Sequence, residues 1–82
     1  TNEIKAAFLQ QLDASPFNQL DGQPVTKLET LDGYKFRTEK GWLLFRPSGT
    51  EPVLRIYAEA ASPEQAEALV QWGVQQVGGE AH

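Results

Sequence analysis

The chain predicts an α+β domain: a four-stranded antiparallel sheet with helices packed on one face. Three observations carry that prediction. Helical periodicity opens and closes the 82 residues, and the stretch between has none. Four strand-like apolar runs succeed one another in that middle, and helices segregated from consecutive strands favour antiparallel over parallel sheets. Tight-turn chemistry separates the runs, at Asp32-Gly33 and at Glu39-Lys40-Gly41.

Residues 1–13 read as the first helix, with Ile4, Ala7, Phe8, Gln11 and Leu12 at helical spacing on one stripe, interrupted only by Gln11. Thr1 or Asn2 suits its N-cap, and Ser15-Pro16 ends it. Residues 16–24 read as a loop pinned by Phe17 and Leu20, with Asp21-Gly22 as a turn pair. Residues 25–31 form the first strand. Val25, Thr26 and Thr30 are β-branched there, although the alternation is poor. Asp32-Gly33 is a two-residue hairpin signal.

Residues 34–38 are the second strand, with Tyr34, Phe36 and Thr38 on one face and Lys35 and Arg37 on the other. In the third, residues 42–46, Leu43 and Phe45 share a face opposite Trp42, Leu44 and Arg46. In the fourth, residues 53–60, Leu54, Ile56, Ala58 and Ala60 face the core. Ser62 then caps the last helix, with Pro63 at its first position and Gln65 placed to close a capping box. Ala66, Leu69, Val70, Gly73 and Val77 form its apolar stripe, and Gly78-Gly79 stops it. A glycine at 73 sacrifices about 1 kcal/mol of helix propensity against alanine, which implies close packing on the sheet. The rings of Trp42 and Trp72 read as core or interface.

Eighty-two residues make a single domain, 1–82, with an ordinary 40% of hydrophobic residues. There is no cysteine, so neither a disulfide nor a thiolate metal site contributes, and a cytoplasmic setting fits at least as well as a secreted one. No apolar run reaches membrane-span length. The net charge of −4 disfavours a nucleic-acid partner. Its distribution is uneven: residues 22–58 carry +2 and the remainder −6. A mildly basic middle suits a small anionic ligand.

The segment Arg46-Pro47-Ser48-Gly49-Thr50-Glu51-Pro52 lies between the third and fourth strands. Arg46 ends a strand and offers a planar fork of donors that grips two phosphate oxygens at once. Ser48 and Thr50 add hydroxyls, and Gly49 permits a positive φ that lets successive N–H groups converge on an anion. Arg55 follows on the face of the fourth strand opposite the core residues. A plain strand connection with a surface arginine accounts for the same composition about equally well. A serine-hydrolase reading fares worse. The only histidine is His82 at the C-terminus, so Ser48 has no base to activate it. No acidic or histidine cluster has metal-ligand spacing.

The run from Arg46 to Pro52, continuing into Val53-Leu54-Arg55-Ile56-Tyr57-Ala58-Glu59-Ala60, closely resembles the phosphate-binding loop of the α-D-phosphohexomutases, the phosphoglucomutases and phosphomannomutases among them. The Asp-Gly-x-Lys turn, the aromatic-rich strand before the loop and the Ser-Pro-Glu helix start extend the resemblance over essentially the whole chain, as that family's fourth, C-terminal domain. It implies a TATA-binding-protein-like sheet, strand order left open, in a domain that closes over a phosphosugar. It also implies that Arg46, Ser48, Gly49 and Thr50 contact the substrate phosphate, with Arg55 a weaker match.

The expected ligands are hexose 1-phosphate, hexose 6-phosphate and the 1,6-bisphosphate, and the expected partners are the preceding domains. The family's phosphoserine, magnesium and sugar-reading motifs are not found here. Mg2+ and the phosphoserine are therefore expected in those catalytic domains, Ser48 is not the phosphorylated serine, and the isolated domain is expected to be inactive, with no catalytic residue and no cofactor or metal of its own. The run from Arg55 to Ala60 leans slightly toward the phosphoglucomutase and phosphomannomutase members over the glucosamine ones. A standalone module binding a phosphorylated metabolite is the alternative function.

Overall fold

The computed structural model describes residues 2–47 and 54–77. Its elements are α1 (Asn2–Ala14), β1 (Gln19–Leu20), β2 (Gln23–Pro24), β3 (Lys27–Glu29), β4 (Tyr34–Thr38), β5 (Gly41–Pro47), β6 (Leu54–Glu59) and α2 (Pro63–Gln76). The last four strands form an antiparallel meander in the order β3-β4-β5-β6, which settles the strand order. Both helices pack on one face of it, as the α+β prediction requires.

Alternation decides which face is covered. Phe36, Leu43 and Phe45 point into the helical layer and are fully buried. The pairings Phe36↔Leu43 and Leu43↔Ala58 place them on one continuous apolar band. Phe8 and Leu12 of α1 complete the buried core with Leu20, and Leu9 packs against it. The stripe on α1 is therefore centred differently from the predicted one, because Ala7 and Gln11 are exposed. Bulky side chains set the docking angle of a helix, since burial free energy scales with the apolar area removed from water. An alanine and a glutamine offer little of it. The suggested cap Thr1, the helix stop at Gly78-Gly79 and the tail to His82 lie outside the described residues.

Aromatic packing binds the layers together. The Phe45 ring lies 5.1 Å from that of Phe8 and 6.1 Å from that of Phe36. Phe17 wedges between sheet and helix, 5.3 Å from Phe36 and 5.0 Å from Trp72. Trp72 is thus a core residue. Trp42 is not: it lies half-buried on the uncovered face, where its indole N–H donates to Glu59 at 2.9 Å.

The segment 16–24, expected to be a loop, contains a miniature hairpin. Leu20 pairs with Gln23 across Asp21-Gly22, and both turn residues have positive φ, 49° and 91°. That is the type I′ geometry Asp-Gly favours. At Asp32-Gly33, where the same dipeptide predicted a two-residue hairpin, the last pair is Glu29↔Lys35 and five residues, 30–34, make the connection. The core explains the difference. A two-residue turn at 32–33 would set Leu28 opposite Arg37 on the outer face, whereas the observed register sets it opposite Phe36. A one-residue slip flips every side chain, so burial of Leu28 selects the longer loop. The first strand is correspondingly short, Lys27–Glu29, against the predicted 25–31.

The turn at Glu39-Lys40 is tight as predicted, with Thr38 paired to Gly41. Helix α2 starts as its sequence dictates: the Ser62 hydroxyl accepts from the Gln65 N–H at 3.2 Å. Gly73 is buried against the sheet. A Cβ there would sit 3.3 Å from Leu43 Cδ2 and from two ring carbons of Phe45, which accounts for the missing side chain.

Candidate functional site

Strands β5 and β6 are the best-paired strands of the sheet, with six consecutive pairs from Trp42↔Glu59 to Pro47↔Leu54. They leave residues 48–53 as the connection. The candidate site residues Ser48, Gly49 and Thr50 fall in that connection and lie outside the described residues, as do Glu51, Pro52 and Val53. The two arginines are described, and the ladder places them directly opposite each other: Arg46↔Arg55, one step from the loop. Directly opposed residues of an antiparallel pair project to the same side, so both guanidinium groups rise from the uncovered face at the mouth of the 48–53 connection. Both residues are exposed.

Two like charges directly opposite on a sheet repel, which disfavours the pairing unless an anion neutralises them. The rest of the face shows how the other cations are met. Arg37 donates to Glu29 at 2.9 Å, and Lys27 stands 3.7 Å from the same carboxylate. The Arg37 hydrogen bond holds the Glu29 carboxyl below its usual range, against a smaller opposing effect of desolvation. Lys35 lies over the Trp42 ring, 4.3 Å from its centre. Among the described residues, neither Arg46 nor Arg55 has a carboxylate partner. The positive charge at this end of the sheet is therefore uncompensated within the described residues.

The neighbouring rank toward the sheet's centre is Leu44 opposite Tyr57, with Tyr57 42% exposed. On the other side of β5, Tyr34 pairs with Phe45, so the next residue outward, Gly33, falls beside Arg46. A Cβ on Gly33 would lie 2.5 Å from the Phe45 carbonyl oxygen and 3.2 Å from Arg46 Cα. Sequence reading singled out each arginine, but neither their pairing nor the position of Gly33 beside Arg46. The pattern held only the dipeptide; its neighbour across the sheet depends on the register.

Two depressions lie elsewhere. A cleft of about 160 Å³ at the opposite end of the sheet is lined by Leu20, Gln23, Thr38, Lys40 and Gln65. A shallow groove of about 480 Å³ runs beside the 30–34 connection, with Lys27, Leu31, Lys35 and Leu44 on its walls. Neither includes the arginine pair. Among the described residues no group of three His, Cys, Asp or Glu side chains is placed to hold a metal ion. No helix among them is long and apolar enough to cross a membrane.

The family model described as "Phosphoglucomutase/phosphomannomutase, C-terminal domain" matches residues 2–72. A protein named phosphoglucosamine mutase from Methanococcus maripaludis strain C5 is 51% identical over 51 residues, covering 62% of this chain and 11% of its own length. A protein named phosphoglucomutase/phosphomannomutase from Thermococcus kodakarensis is 46% identical over 48 residues, covering 58% of this chain and 10% of its own length. A probable phosphoglucosamine mutase from Pyrococcus furiosus is 52% identical over 40 residues, covering 49% of this chain and 9% of its own length. The chain therefore spans about a tenth of the length of these relatives. Relatives of both names match at similar identity, so overall similarity does not separate them.

Proposed function

From the premise that this chain belongs to the phosphoglucomutase/phosphomannomutase family, as its C-terminal domain, we propose that it holds the phosphate of a hexose phosphate while the rest of a longer enzyme moves a phosphoryl group between the two ends of the sugar. The observation that carries this reading is the pair Arg46 and Arg55, opposed across β5 and β6 beside the 48–53 connection and without a carboxylate partner among the described residues. One dianionic phosphate relieves the repulsion between the two guanidinium groups and takes charge-assisted hydrogen bonds from each. The register also strengthens the assignment of Arg55, which on sequence alone is the weaker member of the set.

In this reading Arg46 grips two phosphate oxygens with its fork, and Arg55 approaches from the facing strand. Ser48 and Thr50 supply hydroxyls, and the N–H groups around Gly49 converge on the remaining oxygen. The contribution is positioning and charge stabilisation at the phosphate that is not being transferred. An intermediate phosphorylated at both ends must turn over between half-reactions. A site built from arginines and backbone N–H groups suits that, because it reads a phosphate monoester without reading the carbon that bears it. The described residues of this chain hold no carboxylate cluster fit for Mg2+. On the family resemblance alone, the magnesium ion and the phosphoserine are assigned to preceding domains, which are also the proposed partners.

The test is a titration of the isotope-labelled chain with glucose 1-phosphate. The Arg46 and Arg55 side-chain signals and the 48–50 amides are expected to shift together at millimolar ligand. Removing one charge-assisted contact costs roughly 1.5–3 kcal/mol. Arg46→Ala and Arg55→Ala should therefore each weaken binding by about tenfold or more. Shifts that avoid this end of the sheet, or affinity unchanged in both variants, would refute the assignment.

A further inference from the structure

The geometry points to Gly33 as a positioning residue for the arginine pair: the backbone of the 30–34 connection is a stop against which the end of β5, and with it Arg46, is seated. This rests on the reading of Arg46 as a phosphate ligand. Arg46 is the last residue but one of β5, so its Cα is held by pairing to β6 on one side through Arg55. On the other side the regular β4 ladder has ended, since Tyr34↔Phe45 is its last pair. Beyond that pair, Gly33 makes the close approach.

The approach is tight enough to exclude any L side chain. Gly33 has φ +136°, a conformation L residues rarely adopt, and its missing Cβ would fall 2.5 Å from the Phe45 carbonyl oxygen. Real Cβ atoms stay beyond about 3 Å, so a methyl group there forces roughly 0.5 Å of retreat, and the atoms that must retreat are backbone. The Phe45 side chain is 0% exposed and locked in the core, so it resists the shift. The displacement then falls on the next residue of the strand, Arg46, which is held by pairing on its β6 side but no longer by the β4 ladder. About 0.5 Å is the tolerance within which a binding constellation must be held. A misplacement of 1 Å can cost about 10²-fold, so half that error predicts a loss of about tenfold.

The experiment uses three versions of the 82-residue chain made by chemical synthesis with 15N-labelled Arg46: the parent, Gly33→Ala and Gly33→D-Ala. D-Alanine accepts positive φ as L-alanine accepts negative φ, and its methyl takes the other Hα position, off the Phe45 carbonyl. Inorganic phosphate is the probe, read by the Arg46 amide and guanidinium shifts. Thermal unfolding and Trp72 fluorescence report the fold. The expected result is that Gly33→Ala remains folded but binds phosphate about tenfold more weakly, while Gly33→D-Ala restores the parent affinity. A folded Gly33→Ala with parent affinity overturns the positioning role and leaves the phosphate site standing. Equal weakening in both variants also overturns it, because the effect would then not come from contact with Phe45 and Arg46. A parent chain whose Arg46 signals ignore phosphate removes the phosphate site and the positioning role together.

Discussion

Gly73→Ala sets helix propensity against packing, and the structure decides which prevails. In an exposed helix the change would stabilise by about 1 kcal/mol, because alanine restricts the unfolded chain more than glycine does. At position 73 the new methyl meets Leu43 Cδ2 and Phe45 Cε1 and Cζ, all at 3.3 Å. Those neighbours belong to residues with 0% exposure, so they cannot swing into solvent to make room. Overpacking of this kind costs about 1–3 kcal/mol. The net expectation is destabilisation of about 1 kcal/mol, which in a domain of this size lowers Tm by about 4–8 °C. Urea and thermal unfolding of the two proteins measure it, with an unchanged m value showing that the unfolded state is not the cause. The second leg of the test is Leu43→Val, which removes one of the three atoms the methyl would touch and leaves room for the Phe45 ring to shift. In that background Gly73→Ala should become neutral or stabilising, a coupling of at least about 0.5 kcal/mol. A stabilising Gly73→Ala in the parent, or strict additivity with Leu43→Val, would show that α2 does not rest on β5 through this glycine.

Ser62→Ala removes the hydroxyl that accepts from the Gln65 N–H and should cost about 0.5–2 kcal/mol in urea unfolding, with Ser62→Asp retaining most of the stability. Gly22→Ala meets no atom within 4 Å, so its penalty is conformational alone, about 1–2 kcal/mol from φ +91°, and the fold should survive it. Tyr34 donates its phenolic proton to Asp13, and that bond raises the Tyr34 pKa above its ordinary value, with desolvation as a smaller cause in the same direction. A raised folded-state pKa gives stability that is complete below about pH 10 and is lost as the pH climbs through the folded value. Thermal unfolding across that alkaline range should fall less steeply in Tyr34→Phe. Glu29 is the mirror case, its pKa lowered first by the Arg37 hydrogen bond. Its contribution is present above the ordinary glutamate range and disappears as the pH falls through the depressed value, so Glu29→Gln should flatten the acid limb of the same profile.

Local chemistry reached a long way in this chain. Ser62-Pro63-Glu64-Gln65 carried its own helix start, the alternation Leu43/Phe45 against Trp42/Leu44/Arg46 carried its own two faces, and Glu39-Lys40 carried its own turn. Each depends on residues within one turn or one pleat of one another, so nothing distant had to be known. The run of seven residues from Arg46 to Pro52 and the strand after it likewise carry the family resemblance, because that chemistry is contiguous.

What the tertiary structure alone decided was register. Two Asp-Gly pairs look alike in sequence, yet only Asp21-Gly22 forms a two-residue hairpin. Asp32-Gly33 lies within a five-residue connection because Leu28 must sit opposite Phe36 to reach the core. A strand's pairing is chosen by the burial of residues on the strand beside it, and that choice is absent from the strand's own composition. The same rule places Arg55 opposite Arg46, and Gly33 on Arg46's other side. The sequence by itself determined which residues are candidates for the chemistry. Register determined which of them stand together.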